Sequence, residues 1–237
     1  LDTVFREKLY SQECFKEYSQ ENGENGENGE NGEKMEELKT VAAEEENCGN
    51  FEERVQKLVE AGYETVAREA IACTRCPLHK SATKRVIGKG SCNPKVMFIG
   101  EAPGKNEDET GIPFNGRAGK KLDKMVEYMG LSEEDWFVAN TVKCRPPENR
   151  RPKASEIECC KPFLIAQITL LDPEIIILLG NTAEKAYCPE RKLEWGVPVE
   201  YEGRMILKLY HPAALIYTAS KIEVQRAFID KNRKLWQ

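Results

Sequence analysis

Glu174–Asn181 reads EIIILLGN. A short, unbroken apolar run closed by glycine and a polar residue is the pattern of a strand buried on both faces. The chain around it repeats one alternation. Upstream, Ala154–Leu170 is predicted as a long helix starting after Pro152, and Trp136–Ala139 as a strand. Earlier still come a helix over Ala118–Met129 and an apolar strand over Val96–Ile99. Downstream lie a helix from Thr182, a strand over Met205–Leu209 and a final helix over Ser220–Leu235. Strand–helix alternation of this kind predicts a three-layer α/β/α sandwich, with helices on both faces of a mainly parallel four-stranded sheet.

Open sheets of this class bind ligands at the carboxyl ends of their strands. Here those ends are Gly100–Glu101, Asn140, Gly180–Asn181 and Tyr210–His211. Each runs into polar, glycine or proline residues, so one chemically rich rim is the predicted site.

The first rim loop is GEAPGKNEDETGIPFNGRAG, Gly100–Gly119. Its glycines and prolines make a shaped loop whose amides are free to face a ligand. Glu101, Glu107 and Asp108 supply carboxylates and Phe114 an aromatic face. Arg117 stands at a helix start, where the dipole favours phosphate. Neither GxGxxG nor GxxxxGK[ST] is present, which argues against a mononucleotide loop. The second segment is NTVKCRPPENRRPKASEIECC, Asn140–Cys160. Lys143, Arg145, Arg150, Arg151 and Lys153 in a proline-stiffened loop suit contacts to a phosphate backbone. The third is YHPAAL, Tyr210–Leu215. Of the chain's two histidines, His211 lies on the predicted rim and His79 follows a CxxC, where a structural role is expected.

The nine cysteines come with no predicted secretory signal, so metal binding is a better use for them than a disulfide framework. Cys73-x-x-Cys76 is a two-ligand hook, and Cys144 and Cys160 offer two more thiols, with Cys159 competing for the last place. Four thiolates fit structural zinc or an iron–sulfur cluster, and spacing does not choose between them.

The net charge of −5 hides an asymmetry. Residues 1–50 carry 14 acidic and 5 basic side chains, leaving 26 acidic and 30 basic from Phe51 onward. The predicted globular part, 51–237, is thus mildly basic, as a polyanion-binding protein would be. The acidic segment 1–50 contains ENGENGENGENGE at 21–33. It offers that stretch nothing to bury, so a disordered tail is expected, with a short helix near Val4–Phe15 and free thiols at Cys14 and Cys48. A helix over Phe51–Ile71 is predicted to bend or divide at Gly62. No apolar run spans a bilayer, and an intracellular, DNA-associated protein is expected.

Taken together, GEAPG, the ED and PF-G-AG positions, N-VKCRPP-NR-P, the LLG turn at Leu178–Gly180 and HPAAL closely resemble the family 4 uracil-DNA glycosylases. The resemblance runs from about Cys73 past His211. It implies a [4Fe–4S] cluster on Cys73, Cys76, Cys144 and Cys160. It also implies that Phe114 stacks on a flipped uracil, Asn140 reads the pyrimidine edge, His211 stabilises the departing base, and Glu101 and Ala102 line the pocket. Glu101, Glu107 and Asp108 become the carboxylates available to position the attacking water. Arg117, Lys143, Arg145, Arg150 and Asn181 become DNA contacts. A sister branch forms a covalent adduct through a histidine in an inserted basic loop. No histidine lies between Asn140 and Cys160, so turnover is expected.

The implied activity is monofunctional hydrolysis of deoxyuridine in single- or double-stranded DNA by a monomer, in base excision repair. Partners reached through the tail are left open. Two other classes compete. One is an inactive iron–sulfur module that binds nucleic acid. The other is a glycosylase-like domain of a larger phage or polymerase-associated protein.

Overall fold

The computed structural model describes residues 50–236. The expectations for the ENG repeats, the early helix, Cys14 and Cys48 fall outside the described residues.

Phe51–Ala61 (α1) and Tyr63–Ile71 (α2) form a helical hairpin. Gly62, at φ +83°, divides them as the sequence predicts. The Asn50 side chain caps α1 by accepting from the Glu52 and Glu53 amides. The remaining elements are β1 (Lys89–Gly90), β2 (Val96–Gly100), α3 (Lys105–Thr110), α4 (Arg117–Met129), β3 (Trp136–Asn140) and α5 (Ala154–Leu171). They are followed by β4 (Ile175–Leu179), α6 (Asn181–Tyr187), β5 (Val199–Tyr201), β6 (Arg204–Leu209) and α7 (Ala219–Lys231).

The sheet order is β1-β3-β2-β4-β6-β5. The four predicted strands are its parallel centre. Two short antiparallel strands extend it at the edges: β1 on β3, and β5 in a hairpin with β6. At two and three residues, both edge strands are too short to leave a periodic signal in sequence.

Alternate strand residues divide the core. Val96, Phe98, Val138, Ile175, Ile177, Leu179, Leu207 and Leu209 pack with Leu122, Met125, Val126 and Met129 of α4 and with Ile229 of α7. The α1–α2 hairpin packs on α5 through Leu58, Val66, Ala70, Phe163 and Ala166, and this second core includes Val142, Cys144 and Cys160. Tyr63 of α2 meets Phe137 of β3 edge to face at 6.2 Å. Among the described residues no helix is long and apolar enough to cross a membrane.

Register decides where the site lies. Gly100 pairs with Asn140 across β2–β3, and Leu179 with Leu209 across β4–β6. The parallel strands therefore end side by side, and their next residues share one rim.

Candidate functional site

Gly100, the last residue of β2, lies beneath two side chains of the rim. A Cβ there would stand 2.3 Å from Asn140 Oδ1 and 2.8 Å from Phe114 Cζ. Only the bare backbone lets that amide and that ring approach each other. Phe114 is held at φ +52°, a left-handed conformation costing a non-glycine residue about 1–3 kcal/mol. A Cβ on Gly119 would lie 1.6 Å from the Phe114 carbonyl oxygen. The loop is thus pressed onto α4 in a strained turn that aims the phenyl ring.

Asn140 is 2% exposed, and its Oδ1 is buried with no protein partner. A buried, unpaired acceptor is costly in the free protein and is satisfied when a ligand donates to it. Immediately beyond, Thr141 donates from its amide and its hydroxyl to the Gly100 carbonyl, both at 2.9 Å. The Val142 amide donates to the Glu101 carbonyl. These bonds lock the ends of β2 and β3 together.

His211 faces Phe114 with ring centroids 5.8 Å apart and a 32° tilt. Its Nδ1 accepts from the Ala213 amide at 3.2 Å. The neutral ring therefore carries its proton on Nε2. Burial holds its pKa below the ordinary histidine value, and the nearby Glu101 carboxylate opposes that shift. Preceding it, Tyr210 is clamped by Gln225. Its amide donates to Gln225 Oε1 at 2.8 Å, and its carbonyl accepts from Gln225 Nε2 at 3.2 Å. Trp195 stacks on the Tyr210 ring at 4.5 Å.

Glu101 Oε2 accepts from the Thr182 hydroxyl at 2.5 Å, which fixes one carboxylate oxygen from the start of α6. Glu107 is half-buried, its Oε2 only 2.8 Å from where a Cβ on Gly104 would be. Asp108 does not join them. It is 3% exposed, and its Oδ1 accepts from the Thr83 and Lys84 amides at 2.9 and 3.4 Å. The expectation that it positions water is corrected: this carboxylate anchors the 81–86 segment. Ala102 is half-buried and packs toward the second core.

The basic residues separate into two groups. Arg117 is exposed at the head of α4, donating to the Tyr217 hydroxyl at 2.9 Å. Asn181 is exposed, and Arg145 is half-exposed, its Nε bonded to Asn149 Oδ1 at 2.8 Å. Lys143 is different. It is 1% exposed, and its Nζ donates to the Asn140 carbonyl at 2.9 Å and to Gln167 Oε1 at 2.6 Å. A phosphate cannot reach it, so its assignment as a DNA contact is corrected. Arg150 is half-exposed but engaged, bidentate to the buried Glu156 at 2.9 and 2.6 Å. Glu156 also accepts from the Lys153 amide. Its place one helical turn beyond the basic run concealed this pairing in the sequence.

Behind the rim, Cys73, Cys76, Cys144 and Cys160 line a cavity with Cys159, Ala70, His79, Lys143 and Phe163. Its cavity volume is about 10 Å³, and it opens to solvent beyond that. Burial pushes the Cys76 and Cys144 thiols up to about 12 and the Cys160 thiol up to about 11. The mutual field of the four thiols adds to the rise at Cys76 and Cys144, and Lys143 opposes it at Cys160. The Lys143 amide donates to Cys160 Sγ at 3.3 Å. The positive field of Arg85 reaches Cys73 and Cys144, and its Nε is buried with no partner, as is Arg75 Nη1. Arg54 stacks on Phe163 at 4.6 Å and donates to the Cys159 carbonyl at 3.0 Å, close to Pro162, which interrupts the α5 ladder. Thiols beside the buried Lys143 and within the positive field of Arg85 fit an anionic tetrathiolate centre. Among the described residues, no three Cys, His, Asp or Glu side chains are grouped to hold a single ion. Four thiolates suit either structural zinc or an iron–sulfur cluster.

Comparison with known proteins agrees with this geometry. Residues 87–236 match the model of the uracil DNA glycosylase superfamily. A type-4 uracil-DNA glycosylase of Thermotoga maritima is 37% identical over 176 residues, spanning 72% of this chain and 91% of its own length. Type-4 enzymes of Saccharolobus solfataricus and Pyrobaculum aerophilum are 40% and 43% identical. They span 64% and 61% of this chain, and 76% and 79% of their own.

Proposed function

The chain belongs to the uracil-DNA glycosylase superfamily, and from that premise we propose that it excises uracil from DNA as a monofunctional type-4 enzyme. The observation that carries this reading is the buried, unpartnered Oδ1 of Asn140 between Phe114 and Gly100.

A base inside a duplex is out of reach until its nucleotide is flipped. The flipped ring stacks on Phe114, and Asn140 Oδ1 accepts from uracil N3–H while its amide nitrogen donates to O4. Cytosine presents the inverse donor and acceptor pattern. Breaking the glycosidic bond leaves an oxocarbenium-like sugar and a uracil anion. The Nε2 proton of neutral His211 donates to O2 as that charge develops, a contribution of about 3–4 kcal/mol for one such donor. Glu101 keeps one oxygen on Thr182 and leaves the other to orient the attacking water and to face the sugar cation. Glu107 lines the loop beside it.

The nucleophile in this reading is water, not a lysine. The lysine nearest in sequence to the base reader, Lys143, has its amine committed to Asn140 and Gln167. Lys143 is thus no nucleophile at the sugar, and the reading is of a monofunctional enzyme. Arg117, Arg145 and Asn181 supply exposed contacts to the DNA backbone.

Cys73, Cys76, Cys144 and Cys160 are the residues that would hold a [4Fe–4S] cluster. Bound there, the cluster supplies a rigid covalent centre that fixes the 140–160 segment. Arg75, Arg85 and Lys143 balance its negative charge, and the chemical step stays at the rim.

The test is uracil release from a labelled single-stranded oligonucleotide. Wild-type protein should yield free uracil and an intact abasic strand. Asn140→Ala should lose activity by a hundredfold or so while still binding DNA. Strand scission without added base, or undiminished release by the variant, would contradict the reading.

A further inference from the structure

We propose that Lys143 is a positioning residue that ties the cysteine cavity to the base-reading Asn140. The inference deepens the uracil-excision reading and rests on it.

Three observations carry it. First, the Lys143 ammonium is 1% exposed, and among the described residues no carboxylate forms an ion pair with it. A buried cation without a counter-charge is costly. The ammonium lines the same cavity as Cys73, Cys76, Cys144 and Cys160. Second, both ends of this one residue are committed. Its main-chain amide donates to Cys160 Sγ at 3.3 Å, and its Nζ donates to the Asn140 carbonyl at 2.9 Å. Third, the ammonium is aimed by a fixed acceptor. Gln167 Oε1 takes its second hydrogen bond at 2.6 Å, and Gln167 is itself held by Tyr63 and Ile87 at 3.1 and 3.0 Å.

The consequence concerns the Asn140 side chain. Its amide sits at the end of β3, against bare Gly100. The peptide that orients it is pinned by Thr141 on one side and by Lys143 on the other. Removing the Lys143 amine leaves that planar peptide held through the Thr141 amide alone and relaxes the side chain that reads the base.

The experiment compares wild type, Lys143→Met and Lys143→Gln as purified holoproteins. Iron per chain, visible absorbance, kinetics on uracil DNA and inhibition by free uracil are measured for each. Lys143→Met should keep its iron and spectrum. Its kcat/KM should fall by about ten- to a hundredfold, and uracil should inhibit it more weakly by a similar factor. Lys143→Gln, which keeps an N–H donor without the charge, should recover part of both losses. A purely structural role predicts a different pattern: activity falls only in proportion to iron content, with unchanged inhibition by uracil. That pattern, or wild-type kinetics in Lys143→Met, overturns the proposal while uracil excision stands. If Lys143→Met does not fold, wild-type uracil inhibition in Lys143→Gln overturns it equally. A wild type that releases no uracil removes the functional reading, and this inference with it.

Discussion

Asn140 and Cys144 are four residues apart, yet they belong to regions built by different means. The proposed uracil pocket is made by register. Parallel strands end together, so Gly100, Asn140, Gly180 and His211 meet wherever the sheet forms. The cysteine cavity is made by reach. Cys73 and Cys160 are brought together across nearly half of the described sequence, from the end of the α1–α2 hairpin to the second turn of α5. The pocket is complete in protein atoms except for one acceptor that awaits its ligand. The cavity is lined by four cysteines and the buried Lys143 amine, and Arg75 and Arg85 each keep a buried nitrogen without a protein partner. A site that inherits its geometry from a sheet should survive loss of a side chain. One assembled around a bound group should not survive loss of that group.

The strongest way to break this comparison is to remove a thiol. Cys144→Ser or Cys160→Ser should lose iron, lower Tm by about 10 °C or more, and lose uracil release as the 140–160 segment loosens. Thermal melts followed alongside iron content check this. A variant that loses its metal yet melts like wild type would make the cavity as self-sufficient as the pocket.

On the pocket side, His211→Ala should lower kcat by about a hundred- to a thousandfold with Tm within a few degrees of wild type and DNA affinity nearly unchanged. Single-turnover release and a gel-shift titration read the two effects separately. Gly100→Ala comes next. Its methyl would collide with the Asn140 amide and the Phe114 ring, so uracil inhibition should weaken by at least about tenfold with the fold retained.

Arg150→Ala separates a loop clamp from a phosphate contact. Leaving Glu156 buried and unpaired should cost about 1–3 kcal/mol of stability, seen in urea melts. The salt dependence of DNA binding should change less than in Arg145→Ala, whose side chain is more free to meet phosphate.

How much of this was legible in the sequence follows the same division. The run Ile175–Leu179 and the alternation around it located the parallel sheet, and the strand ends located the rim, because both are periodic or local signals. Edge strands β1 and β5 were too short for any period to register. Phe114, Asn140 and His211 stand out through a shaped loop and two strand ends, and the roles expected of them come from the family resemblance. The misassigned residues were those whose role depends on distant partners. Lys143 reads as one more cation in a basic run, yet it is sealed in by Gln167, 24 residues on. Asp108 reads as a loop carboxylate, yet it is occupied by amides 24 and 25 residues earlier. The positioning roles of Thr182 and Gln225 leave no signal in the sequence, since hydroxyls and amides that steady a neighbouring group follow no pattern.

The smallest effect concerns pH. Because the folded state lowers the His211 pKa, the unfolded chain binds that proton more readily. The stability this group contributes is therefore full above about pH 6.5 and is lost as pH falls through the folded value. Between pH 7 and 5 wild type should lose about 1–3 °C more of Tm than His211→Asn. Equal losses in the two proteins would show that protonation here is not linked to folding.

The central claim is that bond breaking belongs to the rim and that the metal centre only shapes it. Single-turnover uracil release by preparations graded in iron content, each assayed oxidised and reduced, tests this most directly. The account predicts that the amplitude follows iron while the rate constant of the active fraction stays the same in every sample. A rate constant that changes with the oxidation state of the cluster would contradict it.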